Sequence, residues 1–260
     1  MTDKALPVLE ARAVAKHYGA LAAVDGIDLK VMPGQTIGIG GPNGAGKTTF
    51  FDLISGFIPV TKGEVLFMGE PIKGLPAHHL ARAGLVRTFQ VTSGFTSLTV
   101  WQNMMASVIF GARDTKPGLL FNRGNRARVE TTLEAFGLSD LASARVEDIP
   151  ALARKKLMVA TAIVHEPKVL LLDEPVSGLM PSEVDEFISL MHEIRARGTT
   201  LVFIEHVMRF LTSVADRALI MHQGKLIYDG PPSGIGRDET VRSVYLGGAA
   251  YGLETETGHG

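Results

Sequence analysis

A glycine-rich loop between a predicted strand and a predicted helix is the feature that most limits what this chain can fold into. Residues 36–40 are predicted to form a short buried strand, and a helix is predicted from Lys47 to Ser55. Between them, Gly41 to Thr48 has the spacing G-x-x-x-x-G-K-[ST]. Glycines at these positions let backbone N–H groups surround phosphate oxygens at a helix N-terminus. The loop therefore predicts a nucleotide site in which Lys47 meets the β- and γ-phosphates and Thr48 binds Mg²⁺.

A second apolar segment ends in two acidic residues. Residues 169–172 are Val-Leu-Leu-Leu, and Asp173 and Glu174 follow them. At the end of a parallel strand, Asp173 can hold Mg²⁺, and Glu174 can orient or deprotonate the water that attacks the γ-phosphate. Such a strand end indicates little by itself. Together with the glycine loop it predicts nucleotide hydrolysis.

Gln90 and His206 are two further candidates for the same site. Gln90 lies where the first part of the chain gives way to a helical region, and His206 ends another buried strand. A single glutamine or histidine in such a place is usually structural. Because both are expected where the nucleotide would lie, we count them as site residues.

The order of predicted elements indicates an α/β fold. Short strands are predicted within residues 8–31 around a turn at 18–20, helical periodicity runs from about residue 93 to 157, and strands and helices alternate from 168 onward. This alternation is typical of a largely parallel sheet. Residues 248–260, rich in Gly and Glu, are expected to form a flexible tail.

Charge and composition exclude several classes of protein. Lys and Arg total 26 against 27 Asp and Glu, so no basic bias points to a nucleic-acid partner. The absence of cysteine excludes disulfides and thiolate metal sites. We find no apolar run near the roughly 18–20 residues that span a bilayer, and no apolar signal-peptide core near the N-terminus, so a soluble cytoplasmic protein is expected.

In this order, the motifs resemble those of the ATP-binding subunits of ABC transporters, over nearly the whole chain. They are Tyr18, the loop GPNGAGKTT at 41–49, Gln90, the strand LLLDEP at 170–175 and His206. Four further segments resemble those of the branched-chain amino acid (LivG-like) importer group: DLISG at 52–56, RTFQ at 87–90, IEH at 204–206 and YLG at 245–247. The resemblance implies ATP hydrolysis that drives import of branched-chain or related amino acids or amides.

The same resemblance implies a P-loop NTPase (RecA-like) fold: a mostly parallel sheet with N-terminal antiparallel strands and an inserted helical subdomain. The implied segments are 1–92 (core with Walker A and Q-loop), 93–157 (helical subdomain), 158–247 (core with Walker B, D-loop and H-loop) and 248–260 (tail).

The family resemblance also implies the ligands, ATP and Mg²⁺, and the role of each site residue. Tyr18 would stack on adenine, Gln90 would touch Mg²⁺ and signal to the membrane subunits, and His206 would contact the γ-phosphate. The expected nucleotide-binding residues are Tyr18, Asn43, Gly44, Ala45, Gly46, Lys47, Thr48, Thr49 and Gln90. The expected Mg²⁺ ligands are Thr48, Gln90 and Asp173, and the expected catalytic residues are Lys47, Glu174 and His206.

The chain departs from the family pattern at Ile149–Ala153. Family members enclose two ATP molecules between two ATPase subunits, and each site joins one chain's phosphate loop to an LSGGQ-type segment of the other. Here Pro150 replaces the serine, so a hydroxyl donor and a backbone N–H are both absent. Leu152 replaces a glycine, so a side chain lies where the family's backbone closely approaches phosphate. Ala153 replaces the glutamine. We expect this clamp to fail while Pro150 still begins a helix well. The residues expected to keep a buried helical face are Ala151, Leu152, Leu157, Met158 and Val164.

Two smaller departures accompany the first. Met180 stands where the family usually has Asp or Asn, and Gly40 stands where a bulky apolar residue usually precedes the loop.

The intact phosphate loop and the altered clamp lead to a hypothesis about partners. We expect a heterodimer with a second, more conventional ATPase subunit, bound with two transmembrane permease subunits at the cytoplasmic face of the plasma (inner) membrane. The alternatives are a clamp that works despite its sequence, a regulatory subunit with little turnover, or an ABC ATPase for another cargo such as lipid export.

Three other groups of residues are interpreted as structural. Residues 154–156 are expected to form a solvated helix face, or else to contact the partner subunit. His78 and His79 are expected in a surface turn and not in a metal site. Met104, Met105 and Trp101 are expected in the core of the helical region, with a groove for a membrane-subunit helix as the alternative.

Overall fold

The protein is described by a computed structural model over residues 6–88, 95–111 and 122–247. Its smaller sheet is antiparallel and has the order β2-β1-β4-β5; the strands are β1 (Leu9–Tyr18), β2 (Leu21–Val31), β4 (Lys62–Phe67) and β5 (Glu70–Pro71). The larger sheet contains β3 (Thr36–Gly40), β6 (Leu85–Arg87), β7 (Val169–Asp173), β8 (Thr200–Ile204), β9 (Arg217–His222) and β10 (Lys225–Gly230). Its order is β10-β9-β3-β8-β7-β6, and only the β9–β10 pair is antiparallel.

Eight helices surround these sheets in the described residues. They are α1 (Lys47–Ile54), α2 (Ala77–Ala83), α3 (Val100–Gly111), α4 (Arg123–Ala135), α5 (Ala151–Ile163), α6 (Pro181–Ala196), α7 (Met208–Val214) and α8 (Glu239–Gly247). Short 3-10 helices occupy Ser139–Leu141, Val146–Asp148 and Pro232–Arg237. Within these ranges no helix is long and apolar enough to cross a membrane.

The central strands are buried on both faces. Every residue of β3, β7 and β8 is buried, because helices or the smaller sheet cover each side of the larger sheet. Side chains alternate along β7: Leu170 and Leu172 pack into the core with α5 and α6, whereas Val169 and Leu171 pack into the core with α1. The carboxyl ends of the parallel strands therefore meet at one edge of the sheet.

The predicted fold class is confirmed: a mostly parallel sheet, N-terminal antiparallel strands and an inserted set of helices. The prediction of short strands within residues 8–31 is wrong: β1 has 10 residues and β2 has 11, because the two strands pair along most of their length. The predicted segment boundary between 157 and 158 falls inside α5, so the division into segments stays a prediction. The predicted tail, 248–260, lies outside the described residues.

His78 and His79 lie in a helix and not in a turn. Pro76 caps the start of α2, and Gly84, with φ 108°, ends it. Both histidines are exposed, as expected for the surface. In the part of the chain that the structure describes, no group of three or more His, Cys, Asp or Glu side chains could hold a metal ion.

Candidate functional site

The glycine loop joins the end of β3 to the start of α1, and two of its glycines have no room for a side chain. Gly41 has φ 141° and Gly46 has φ 96°, both in the region that favours glycine. A Cβ on Gly41 would lie 2.3 Å from the carbonyl oxygen of Met221, and one on Gly46 would lie 2.2 Å from that of Ala23. The first bond along α1 runs from the Phe50 N–H to the Gly46 carbonyl oxygen, so the N–H groups of residues 47–49 before it can donate to a phosphate.

Lys47 lies within this loop. It is 7% exposed, and its Nζ donates to the carbonyl oxygens of Gly41 at 2.7 Å and Pro42 at 3.0 Å. Burial lowers the pKa of Lys47, and the negative charge of Glu174 opposes that shift. The loop therefore holds an amine where the phosphates are expected. Of the other predicted loop residues, Asn43, Gly44 and Thr48 are exposed, Gly46 and Thr49 are half-buried and Ala45 is buried.

Asp173 ends β7 and forms an ion pair with Arg87, a residue for which no role is predicted above. Arg87 Nη2 lies 2.9 Å from Asp173 Oδ2, and its Nη1 lies 2.6 Å from Asp52 Oδ1 and 2.9 Å from Ser55 Oγ. The guanidinium also lies 5.0 Å from the centroid of the Phe51 ring. Burial raises the pKa of Asp173, and Arg87 opposes that shift. Arg87 thus links the end of β7 to α1. Its only signal in the sequence was the RTFQ likeness.

The oxygen donors at this edge of the sheet suit Mg²⁺. A carboxylate from Asp173 and a hydroxyl from Thr48 are the hard ligands that Mg²⁺ prefers. Gln90, the third predicted ligand, lies outside the described residues. Tyr18 ends β1 and is 53% exposed, with Lys16 Nζ 5.3 Å from its ring centroid. Its stacking on adenine stays a prediction.

Glu174 and His206 come together at the ends of β7 and β8. His206 Nδ1 lies 3.9 Å from Glu174 Oε1, and the two side chains are 50% and 23% exposed respectively. Glu174 has φ 45°, which is unusual for a residue other than glycine. Its N–H donates to the Ile204 carbonyl oxygen at 3.1 Å, and its own carbonyl oxygen accepts from Lys155 Nζ at 3.1 Å. A carboxylate and an imidazole are therefore positioned beside the Lys47 loop.

Glu205 holds the two loops that carry these residues. It is 0% exposed and accepts hydrogen bonds from the backbone N–H groups of Val176 (2.9 Å), His206 (3.0 Å) and Val207 (3.2 Å). Burial raises the pKa of Glu205, and these donors oppose that shift. The sequence does carry a signal for Glu205: an acidic residue directly follows an apolar strand, as at Asp173.

The prediction that residues 154–156 form a solvated helix face is wrong. Lys155 is 8% exposed, and Arg154 and Lys156 are half-buried. Lys156 forms an ion pair with Glu186 on α6. The physical reason is that α5 packs against α3 on one side and α6 on another, which leaves little of its surface to solvent.

The segment Ile149–Ala153 forms the start of α5. Pro150 is the N-cap, with φ −58° and ψ 158°, and no side chain caps the helix there. Ile149 and Ala153 are buried at 3% and 8% exposure, and Leu152 is half-buried. Ala151 is exposed, so its expected place on the buried face is wrong: residues two apart on a helix point to nearly opposite sides, and Ala153 is the one that faces the core. Leu157 and Val164 are buried as expected, and Met158 is half-buried.

The two smaller departures have different surroundings. Met180, 63% exposed, is the N-cap of α6. The space over Gly40 is already filled: a Cβ there would lie 2.9 Å from Ile220 Cδ1, 3.0 Å from Leu211 Cδ1 and 3.6 Å from the Tyr245 hydroxyl. Neighbouring side chains thus occupy the volume that a bulky residue would take.

An apolar groove lies between helices α3 and α5 and strand β6 of the larger sheet. Its volume is about 560 Å³, and Phe95, Ala106, Phe110, Arg154, Leu157 and Met158 are among the residues that line it. Phe95 and Phe110 are 63% and 79% exposed. Met104 and Met105 are buried, which confirms their expected place in the core, and Trp101 is half-buried. The groove uses other residues of α3.

Comparison with known proteins supports the same interpretation. A family model described as ABC transporter matches residues 24–177. The high-affinity branched-chain amino acid transport ATP-binding protein BraF of Pseudomonas aeruginosa is 34% identical over 255 residues, covering 94% of this chain and 99% of the relative. LivG of Escherichia coli, with the same description, is 33% identical over the same shares. The lipopolysaccharide export system ATP-binding protein LptB of Haemophilus influenzae is 33% identical over 93% of this chain and 98% of its own length.

Solved structures agree with these relatives. The ADP conformation of MJ1267, an ATP-binding cassette of an ABC transporter, superposes with a TM-score of 0.82 at 26% identity, covering 93% of this chain and 99% of that one. A nucleotide-free ATP-binding cassette from an ABC transporter gives a TM-score of 0.81 over 92% of this chain and 99% of that one, again at 26% identity.

Proposed function

This chain belongs to the ABC transporter family of ATP-binding, ATP-hydrolysing subunits, and on that premise we propose that it acts in a heterodimer with one competent and one degenerate ATP site. The observation that carries the proposal is a contrast within the chain. Lys47, Asp173, Glu174 and His206 lie together with their supporting contacts, whereas the start of α5 is capped by Pro150 and has no polar side chain.

At the competent site, this chain would supply the residues that act on ATP, the substrate. The loop N–H groups and Lys47 would hold the β- and γ-phosphates, and Glu174 would orient or deprotonate the attacking water. Thr48, Asp173 and Gln90 would hold Mg²⁺, which supplies neutralisation of charge on the phosphate oxygens. His206 would contact the γ-phosphate, and Tyr18 would stack on adenine. The partner ATPase subunit would supply the polar clamp.

At the other site, this chain would offer only the start of α5. A hydrogen bond to a charged group is worth about 1.5–3 kcal/mol. Pro150 contributes neither a hydroxyl nor an N–H, and the Leu152 side chain adds bulk beside the exposed helix start. The loss of two such bonds would therefore weaken the hold on a partner's ATP by about 3–6 kcal/mol. A homodimer would carry this defect at both of its sites.

The groove beside α3 supports the membrane partners of this proposal. An apolar groove of about 560 Å³ with two exposed phenylalanine rings suits a short amphipathic helix, and Arg154 at its border suits an acidic residue on that helix. We assign this groove to a helix from one of the two permease subunits. The chain would then lie at the cytoplasmic face of the inner membrane through these contacts.

For cargo, we propose branched-chain or related amino acids or amides, on the strength of the BraF and LivG relatives. Lipid export is the second candidate, because the LptB relative has a comparable identity and coverage. Uptake of labelled leucine in cells that lack the gene separates the two. Loss of uptake supports import, and unchanged uptake together with a defective outer membrane supports export.

The heterodimer is tested by phosphate release from the purified chain, alone and mixed with each ATPase subunit that co-purifies with it. We expect little turnover from the chain alone and strong turnover from the mixture. Robust turnover from the chain alone would show that its clamp works and would refute the heterodimer.

A further inference from the structure

Lys155 is the most deeply buried of the three basic residues on α5. It is 8% exposed, and a lysine that deep in a protein needs polar or charged partners. Its Nζ donates to the backbone carbonyl oxygen of Glu174 at 3.1 Å. Burial lowers the pKa of Lys155, and the charges of Glu205, Glu174 and Asp173 oppose that shift. The side chain thus points at the catalytic edge of its own chain.

The peptide that receives this bond is held in an unfavourable conformation. Glu174 has φ 45°, in the left-handed region, which costs a residue with a side chain about 1–2 kcal/mol. Hydrogen bonds to its backbone hold it there: its N–H donates to Ile204 on the neighbouring strand, and its carbonyl oxygen accepts from Lys155 Nζ at 3.1 Å and from the Ser177 N–H at 3.3 Å. Because the backbone conformation sets where the side chain leaves the chain, these contacts determine the direction of the carboxylate, and Lys155 supplies the side-chain donor among them.

We propose that Lys155 is a positioning residue that fixes Glu174 for catalysis, so that α5 serves the ATP site of its own chain. This proposal rests on the proposed role of Glu174 in activating water. The clamp at the start of α5 would act on a partner's nucleotide. Lys155, one turn further along the helix, would act on this chain's own nucleotide.

The neighbouring Lys156 provides a matched control. It lies on the same helix, is half-buried and pairs with Glu186 on α6, away from Glu174. Replacing either lysine by methionine removes one charge and preserves an unbranched side chain. A difference between the two variants therefore reports the contact with Glu174.

The test measures ATP turnover, KM and nucleotide affinity in the assembled transporter. We expect Lys155→Met to lower kcat by about 10- to 100-fold, because a misplacement of about 1 Å in a catalytic group can cost 100-fold. KM and the Kd of a fluorescent ATP analogue should stay within about twofold, since the phosphate loop is unchanged. Lys155→Arg should restore most of the turnover, because arginine can donate to the same carbonyl oxygen. Lys156→Met should match the parent.

A double-mutant cycle with Glu174→Gln distinguishes positioning from a general structural effect. If Lys155 acts through Glu174, then Lys155→Met causes no further loss in the Glu174→Gln background. An equal fold-loss in both backgrounds, or a loss shared by Lys156→Met, would overturn the proposal. High turnover in Glu174→Gln alone would instead refute the proposed role of Glu174. If Lys155→Met does not fold, Lys155→Gln replaces it with the same expected split between kcat and KM, and an unchanged kcat there would overturn the proposal.

Discussion

Replacement of Arg87 by methionine removes a cation that joins two carboxylates, Asp173 and Asp52, at the edge of the larger sheet. The Arg87 and Asp173 side chains are each 9% exposed, and Asp52 is 22% exposed. The N–O distances, 2.9 Å to Asp173 and 2.6 Å to Asp52, are those of short charge-assisted hydrogen bonds. The methionine side chain is unbranched, like that of arginine, but it carries no charge. Both carboxylates therefore lose this partner.

The expected cost follows from burial. Removing one partner of a buried ion pair costs about 3–5 kcal/mol, because the other charge stays behind without compensation. Asp173 has this degree of burial, whereas the more exposed Asp52 can recover part of its solvation. We therefore expect Arg87→Met to lower the free energy of unfolding by about 4 kcal/mol. Asp52→Asn leaves the Asp173 pair in place, so its expected cost is about 1–2 kcal/mol.

Urea unfolding of the purified chain, followed by far-UV circular dichroism, measures these differences. Arg145→Met is the control, because Arg145 is 62% exposed and its pair with Glu147 spans 3.4 Å at the surface. An exposed pair of this kind contributes at most about 1 kcal/mol. If Arg87→Met cost no more than Arg145→Met, or less than Asp52→Asn, the idea that Arg87 ties β7 to α1 would be wrong.

Four further variants test the remaining conclusions. Glu174→Gln should lower phosphate release by the assembled transporter by about 100-fold or more, as expected for loss of a general base. Leu152→Ala should leave that rate within about twofold, because the clamp it belongs to is already ineffective, and a loss equal to that of Glu174→Gln would contradict the degenerate site. Gly40→Val should lower the free energy of unfolding by about 1–3 kcal/mol in urea titrations, since Ile220 and Leu211 already fill the space, and an unchanged midpoint would show that they can move aside. Phe110→Asp should reduce co-purification of the permease subunits while ATP binding by the isolated chain stays unchanged, and normal co-purification would place the permease contact elsewhere.

The parts of the fold that follow from local chemistry were predictable from the sequence. The glycine spacing from 41 to 48 predicted a loop between a strand and a helix, and the structure has β3 and α1 at its two ends. Gly41 and Gly46 must be glycine because carbonyl groups of β9 and β2 lie against them. Those strands are distant in sequence, yet the eight-residue motif alone is enough to predict both glycines. A continuous apolar run likewise predicted β7, because a strand buried on both faces cannot alternate.

The supporting contacts of the site were not predictable, because they join distant parts of the chain. Arg87 meets Asp173 across 86 positions and Asp52 across 35. Nothing local to 154–156 shows which of three consecutive basic residues faces inward. That depends on how α5 rotates against α3 and α6, which is fixed by packing along the whole helix. A run of charged residues therefore predicts a solvated face, although its middle residue, Lys155, donates to the backbone carbonyl oxygen of Glu174.

Part of the start of α5 can change without harm to the rest of the chain. Pro150 and Ala151 are exposed, whereas Ile149 and Ala153 are buried, so substitution of the two exposed residues disturbs neither the core nor the contacts of Glu174. Lys155 follows one turn later, where it is buried against the chain's own site. On the proposals above, residues that act across a dimer and residues that act within one chain occupy separate turns of one helix. A variant in the first turn then changes only the partner's ATP site, where the clamp is already ineffective, and one at Lys155 weakens the site on this chain's own phosphate loop. In an asymmetric dimer the two variants therefore affect turnover to different extents, since only one of those sites has an effective clamp.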